Sequence, residues 1–331
     1  MKHILFIVVA LAVTSGYGQK YTTKAYGLYQ AGSYEEAKIY VDSAITSNER
    51  FNSQLWQLRG LVYRKLESDE NKDFRNVAIE SFVEARKLDE EGKYKEKIDG
   101  YLYNTIIRYY NDAVTYLGEK ELENSESAYS LYKGKYKKYV DEGFNFNQND
   151  IEYYTALGSE YLKLVSNLQG EQKTKQTAKG IHFFQLVLDI DKDQFGPNLN
   201  IGVMYYNNGA DLIMNMDPLT PIEDIPLIEE KAQDYFSKAL PFLLEANRIE
   251  PERVDVIEAI TGCYYGLQDD ENYNKYQKIL DEKNLPKLLE KHNANPKDQE
   301  VVRELVRIYS TTFKDDEKYK KFAEILNKLE E

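Results

Sequence analysis

Asp189, Asp191 and Asp193, in the run DIDKDQFGPN, alternate as the first oxygen ligands of a calcium loop do. Such a loop needs a glycine for its sharp turn and a closing glutamate, and here Gln194 and Asn200 stand in those places. The triplet is therefore read as the hydrophobic-Asp-x-Asp exit of a helix. Cys263, in TGCYYG, is the one cysteine of the chain, which excludes a disulfide framework and any multi-thiolate metal site. No histidine or basic cluster stands near it to lower its pKa, so a buried and inert thiol is expected. His182 and His292 are 110 residues apart, and neither has an acid and a nucleophile at a recognisable spacing. No Gly-x-Ser-x-Gly elbow, phosphate-cradling Gly-x-x-x-x-Gly-Lys or His-Glu-x-x-His occurs. Glu35-Glu36, Glu229-Glu230 and Asp269-Asp270-Glu271 are neighbours in sequence, so on a helix they point in different directions. An enzymatic reading would need carboxylates assembled across helices. No catalytic residue, cofactor or metal is expected.

Two other groups of residues bear on binding. Lys133–Lys138 (KGKYKK), with Tyr136 inside it, is the one basic run, read as a solvated helix face. Tyrosine is over-represented: 29 of them, against 13 phenylalanines and a single tryptophan. Exposed tyrosine gives a large amphipathic contact area at low entropic cost, so a sticky surface is one reading and helix-surface filling the other. Fifty-six acids against 43 bases give a net charge of −13, which argues against unaided binding to nucleic acid or anionic lipid.

These side chains need elements to hold them. The start of the chain is a different material from the rest: Lys2 and His3, then the ten-residue apolar run Ile4–Val13, then the small residues Gly16 and Gly18. That order matches a secretory signal peptide over residues 1–18, and the run is shorter than the roughly 20 residues a membrane-spanning helix needs. With Lys2 removed the net charge becomes −14. Export without disulfides, and without any Asn-x-Ser/Thr triplet, leans towards a bacterial periplasm, with secretion or outer-membrane association as alternatives.

Beyond residue 18 apolar residues recur at spacings of three and four, and sustained alternation is absent, so the chain reads as helix after helix. Glycines and prolines are expected between the helices as punctuation. The helices repeat. Trp56, Gly60 and Tyr63 are spaced four and three apart; Tyr154, Gly158 and Tyr161 repeat this, as do Asn198, Gly202 and Tyr205. Tyr21–Ala25–Leu28 and Tyr109–Ala113–Tyr116 are weaker copies. After each comes a small–large–small pattern: Ala37–Val41–Ala44, Ala78–Phe82–Ala85, and Ala239–Leu243–Ala246 followed by Pro251. Ala128–Tyr132–Lys135 and Gly180–Phe184–Val187 fit it less well.

On those residues the chain resembles the tetratricopeptide repeat (TPR) proteins, best at Trp56–Gly60–Tyr63 and Ala239–Ala246–Pro251. The resemblance implies an all-α, right-handed solenoid of helical hairpins, with Gly60 or Gly158 facing an alanine-type position where two helices meet closely. The small second-helix residues at 37, 78, 128, 180 and 239 are 41 to 59 residues apart instead of 34. The surplus is expected as longer helices and as insertions, the largest being 207–230. About six hairpins are expected over 19–283, with a degenerate helix pair at 284–331 as a cap.

In the family the first helices line a concave groove, which implies that Tyr26, Tyr29, Arg64, Ser159, Tyr206 and Asn207 face it. Its carboxylate-gripping Lys and Asn set is absent, because Tyr26, Leu61, Ser159 and Val203 stand in those places. The function the resemblance implies is an exported scaffold in a bacterial envelope, secretion or transport assembly, taking a protein or peptide partner in that groove. The alternative is a small-ligand or glycan-binding protein with 207–230 as a lid.

Overall fold

A computed structural model describes residues 20–165 and 168–330; the expected signal segment lies outside the described residues. The chain divides into two compact units, one ending at Phe146 and the other beginning at Asn147. In the first unit α1 (Lys20–Gln30) pairs with α2 (Tyr34–Ala44), α3 (Ser53–Leu66) with α4 (Phe74–Lys87), and α5 (Lys95–Gly118) with α6 (Leu122–Tyr139). In the second, α7 (Asn147–Val165) pairs with α8 (Gly170–Ile190), α9 (Phe195–Met214) with α10 (Ile225–Ile249), α11 (Val254–Gly266) with α12 (Asp270–Ala294), and α13 (Gln299–Arg307) with α14 (Asp316–Glu330). Within each unit the second helix of one hairpin packs on the first helix of the next, so the hairpins stack in chain order. Among the described residues there is no strand.

Local chemistry sets the helix ends. Asn52 and Asp298 accept the backbone N–H groups of Gln54 and Val301 at 2.8 and 3.2 Å, capping α3 and α13; each cap is worth about 1 kcal/mol. The α1–α2 turn passes through Gly32 at φ +80°, a conformation open to glycine at little cost. Glu49, buried in a 3-10 turn (Asn48–Phe51), takes the free N–H groups of Tyr21 and Thr22 at 3.0 and 2.8 Å, placing a carboxylate at the positive end of α1. α10 stops at Ile249, just before Pro251.

The repeat motif is a packing device. A Cβ on Gly60 would stand 2.7 Å from Phe82 Cδ1, one on Gly158 2.9 Å from Phe184 Cε1, and one on Gly202 2.6 Å from Leu243 Cγ. The glycine thus faces the large middle residue of the second helix, not an alanine-type position. The small flanking residues Ala78, Ala85, Ala239 and Ala246 are fully buried, and they let the helices approach while one large side chain fills the notch. Tyr63 and Tyr161 are buried as motif positions should be; Tyr63 donates to Asp42 Oδ2 at 2.8 Å. Trp56 is only half-buried and donates its indole N–H to the Arg50 carbonyl, while Leu55 and Leu58 on either side fill the core.

Three expectations are corrected. Glycine and proline are not confined to the turns: the notch glycines lie inside helices, and Pro241 and Pro286 sit within α10 and α12. The 207–230 segment is not an inserted loop, since Asn207–Met214 continues α9 and Ile225–Glu230 begins α10, leaving only 215–224 as connector. Apolar residues continue at helical spacing through both ends, so the surplus length goes into helices of 20 and 25 residues. The expected boundary between 283 and 284 falls inside α12, which runs on to Ala294.

The last hairpin packs on α12 through Leu285, Leu288 and Leu289 against Val301, Leu305 and Phe322, and one buried carboxylate adds a polar tie. Asp281, 2% exposed, accepts from Gln277 Nε2 at 2.7 Å, from Arg307 Nη1 at 3.1 Å, and from the Thr312 hydroxyl. Arg307 precedes and Thr312 ends a single π-helical turn, Ile308–Thr312, which bulges the chain so that both reach the same side chain.

Candidate protein-binding surface

The structure brings two of the six expected groove residues together. Tyr29 on α1 is half-buried, its ring 5.4 Å from Tyr34, and burial first, then Tyr34, push its hydroxyl pKa up, with Arg64 opposing. Arg64 on the last turn of α3 holds its guanidinium 5.5 Å from the centre of the Tyr101 ring on α5. Lys97 stands over the same ring at 5.7 Å. A ridge of Tyr29, Arg64 and Tyr101 therefore runs across the first helices of three successive hairpins. Tyr26, 36% exposed, lies on α1.

Packing underneath fixes this ridge. The Tyr101 ring lies 5.2 Å from the Phe82 ring, which itself sits in the Gly60 notch. A repeat glycine on α3 thus places a phenylalanine on α4, and that phenylalanine backs the tyrosine over which Arg64 lies. Among the described residues Arg64 is a half-buried arginine with no carboxylate partner, whereas Arg59 and Arg75 are tied to Asp42, and to Glu67 and Asp112.

The other expected groove residues do not join it. Tyr206 is a packing residue: its ring lies 5.7 Å from Phe236 and occupies the notch of Gly262 on α11, where a Cβ would stand 2.8 Å from Cε2. Burial pushes its pKa up accordingly. Position 206 follows the motif tyrosine by one residue, and on α9 that turns it towards α10 and α11, not outward. Ser159 donates to the Thr155 carbonyl of its own helix at 2.7 Å. Asn207 is exposed. Tyr205 is partly buried between Tyr235 and Phe242, at 6.5 and 6.3 Å.

Sequence reasoning missed Tyr101. The recognisable α5 motif begins at Tyr109, and Tyr101 lies eight residues earlier, on the extra turns that lengthen α5. The available signal was helical periodicity, since positions 101, 105 and 109 fall on one face.

The remaining chemistry-bearing residues have structural settings. A cleft of about 330 Å³ in the first unit is lined by Glu67, Lys72, Arg75, Arg108, Asp112 and Tyr116 among others. Its charges neutralise one another: Glu67 lies 2.6 Å from Arg75 Nε and 2.7 Å from Arg108 Nη1, and Arg75 reaches Asp112 at 2.7 Å. This network ties the α3–α4 connection to α5. Cys263 is buried, and desolvation pushes its thiol up to about 12, so it is not poised as a thiolate. Asp191 ends α8 and accepts from the Asp193 N–H and from Gln194, a helix exit. Among the described residues no group of three or more His, Cys, Asp or Glu side chains is placed to hold a metal ion. His182 is exposed beside Phe183, and His292 lies edge-on to Phe322 at 5.2 Å. The Lys133–Lys138 run is less solvated than expected. Tyr132 and Tyr136 within and beside it join Phe144 and Phe146 in an aromatic cluster with centroids 4.8–5.6 Å apart.

No protein-family model matches the chain, and no curated protein matches it. Solved structures similar to it include a TPR repeat protein from Bacteroides fragilis, at 17% identity and TM-score 0.41, covering 76% of this chain and 99% of that one. Pseudomonas aeruginosa PilF matches at 13% identity and TM-score 0.28, covering 79% and 89%. The TPR2AB domain of yeast Sti1, solved in complex with pHSP90, matches at 12% identity and TM-score 0.26, covering 92% and 98%. The TPR-like character of the hairpins rests on their own packing, with glycine notches filled from the second helix.

Proposed function

We propose that the protein is an interaction scaffold that takes a protein or peptide partner on the first-helix ridge of Tyr29, Arg64 and Tyr101, with exposed Tyr26 three residues before Tyr29 on α1. The observation that carries this reading is Arg64, a half-buried guanidinium without a carboxylate partner, held against an aromatic ring. Arginine and tyrosine are the residue types that dominate binding energy at protein interfaces. The partner is expected to bring a carboxylate or a carbonyl cluster to Arg64 and apolar groups to the tyrosines. We further propose that the chain is exported, as its first eighteen residues suggest, and works in a bacterial envelope, secretion or transport assembly. No catalytic role is assigned to any residue.

The test is crosslinked affinity purification of the tagged protein from its native envelope, followed by calorimetry with the purified partner. A Tyr26→Ala, Arg64→Ala variant is expected to unfold at the same temperature and to bind at least tenfold more weakly. Unaltered affinity in that variant, or recovery of no partner from the envelope, would sink the ridge as the binding surface.

A further inference from the structure

A cavity of about 340 Å³ opens in the second unit where the α10–α11 turn meets α12. That is the small end of the range for ligand pockets, with room for one side-chain-sized group. Its apolar walls are Pro251 from the turn, Ile257 on α11 and Ile279 on α12. Tyr276 on α12 lines it too, and its ring stacks on Tyr264 at 5.6 Å and 27°, which fixes that wall.

The polar groups around the cavity are nearly all acceptors. Asn247 on α10 is one of them, and its side-chain Oδ1 is shielded from solvent without a hydrogen-bond partner among the described residues. A shielded carbonyl left in this way is unfavourable, and native chains keep few of them. Glu252 and Glu282 add two carboxylates. Lys283, the ammonium of the lining, is already bound to Glu252 at 2.6 Å. Glu282 keeps only a 3.9 Å contact with Lys278, at an exposed position where such a pair contributes little. Two carboxylates against one ammonium leave one negative charge, beside an oxygen that lacks a donor.

We propose that this cavity is a second binding site, which takes a guanidinium or primary ammonium group on a short aliphatic stem. The N–H donors of such a group satisfy Asn247 Oδ1 and its charge pairs with Glu282, while the stem lies along Pro251, Ile257 and Ile279. Two sources carry that chemistry: an arginine or lysine side chain of a protein partner, and a free aliphatic amine. The site shares no residue with the ridge of Tyr29, Arg64 and Tyr101, and it selects the opposite charge.

Isothermal titration calorimetry of the purified protein tests it with agmatine, with the peptide acetyl-Gly-Arg-Gly-amide, and with the same peptide carrying citrulline in place of arginine. Agmatine or the arginine peptide is expected to bind, and the citrulline peptide about tenfold more weakly or less, because it keeps the shape and lacks the charge. Binding of agmatine alone identifies a free amine as the ligand, and binding of the peptide alone identifies a partner's side chain. Asn247→Leu is expected to weaken binding by about tenfold or more and to leave the unliganded protein unfolding at the same or a higher temperature. That second readout separates an oxygen that serves a ligand from one that supports the fold. Glu282→Gln, at an exposed position, is expected to fold normally and to bind about threefold more weakly. No binding of either cationic probe up to about 5 mM would overturn the proposal. So would equal affinity for the citrulline peptide, unaltered affinity in either variant, or a lower unfolding temperature in Asn247→Leu.

Discussion

The ring of Phe82 occupies the place that a side chain on Gly60 would fill, with Cδ1 2.7 Å from the position of the missing Cβ. Phe82 is fully buried and cannot swing into solvent, so any side chain at 60 forces α3 and α4 apart. Gly60→Val is expected to cost about 2 kcal/mol, after whatever valine regains in backbone entropy. Urea denaturation checks this, and pairing it with Phe82→Leu should recover part of the loss, since the two substitutions share one cavity. Additive effects would mean that the notch is not the source of the cost. Gly158 against Phe184 predicts the same behaviour for the α7–α8 hairpin: Gly158→Leu with unchanged thermal stability would discredit that pairing.

Much of this was legible in the sequence because it is dictated by volume. A glycine four residues after one large residue and three before another, followed by a small–large–small triplet, has few ways to pack except as a hairpin. Gly60–Phe82 and Gly202–Leu243 both follow that logic. The 207–230 segment was misread because its prolines suggested a loop, whereas Pro226 sits in the first turn of α10, where a missing N–H costs nothing. The ridge of Tyr29, Arg64 and Tyr101 was half legible. Tyr29 and Arg64 follow from the register of α1 and α3, but Tyr101 depends on how far α5 extends, and that is fixed by tertiary packing on Phe82.

Tyr26 and Tyr206 separate surface from packing. Tyr206 fills the Gly262 notch and touches Phe236, so Tyr206→Ala leaves a cavity and is expected to cost about 2 kcal/mol, below the full-burial range because the residue is only half-buried. Tyr26→Ala, at an exposed position, should change stability by less than about 0.5 kcal/mol. Thermal unfolding of the two single variants decides the matter: equal effects would contradict the assignment of Tyr206 to the interior.

Asp281 on α12 accepts from Arg307 and Thr312 of the last hairpin, adding a polar tie to the apolar contact of Leu285, Leu288 and Leu289. Asp281→Asn keeps the shape, removes the charge and turns one acceptor into a donor facing donors. A loss of about 2 kcal/mol is expected, discounted from the fully buried case because Arg307 is partly exposed and also pairs with Glu304. Native-state hydrogen exchange should show faster exchange in α13 and α14 with little change in α3 and α4. Uniform acceleration along the chain would show that Asp281 supports the fold globally.

The buried thiol and tyrosines make alkaline pH the expected point of failure. Burial pushes Cys263 up to about 12 from an ordinary value near 9, and pushes Tyr63, Tyr109 and Tyr132 up to about 12 from near 10. For each group the neutral form is favoured in the folded chain, so the unfolded chain releases its proton first. The contribution to stability is intact below the unfolded value and declines as pH rises towards the folded one. Unfolding free energy should therefore be flat with respect to these groups up to about pH 9 and fall steadily from there to about 12. Cys263→Ser should shift the onset of the fall upward, towards the tyrosine range. Near pH 8 to 9 native Cys263 should react with a thiol reagent only as fast as the chain opens, because the thiol is buried and its thiolate is scarcely populated in the folded state. Rapid labelling of the native protein at pH 8 would contradict both the burial of Cys263 and the direction of its shift.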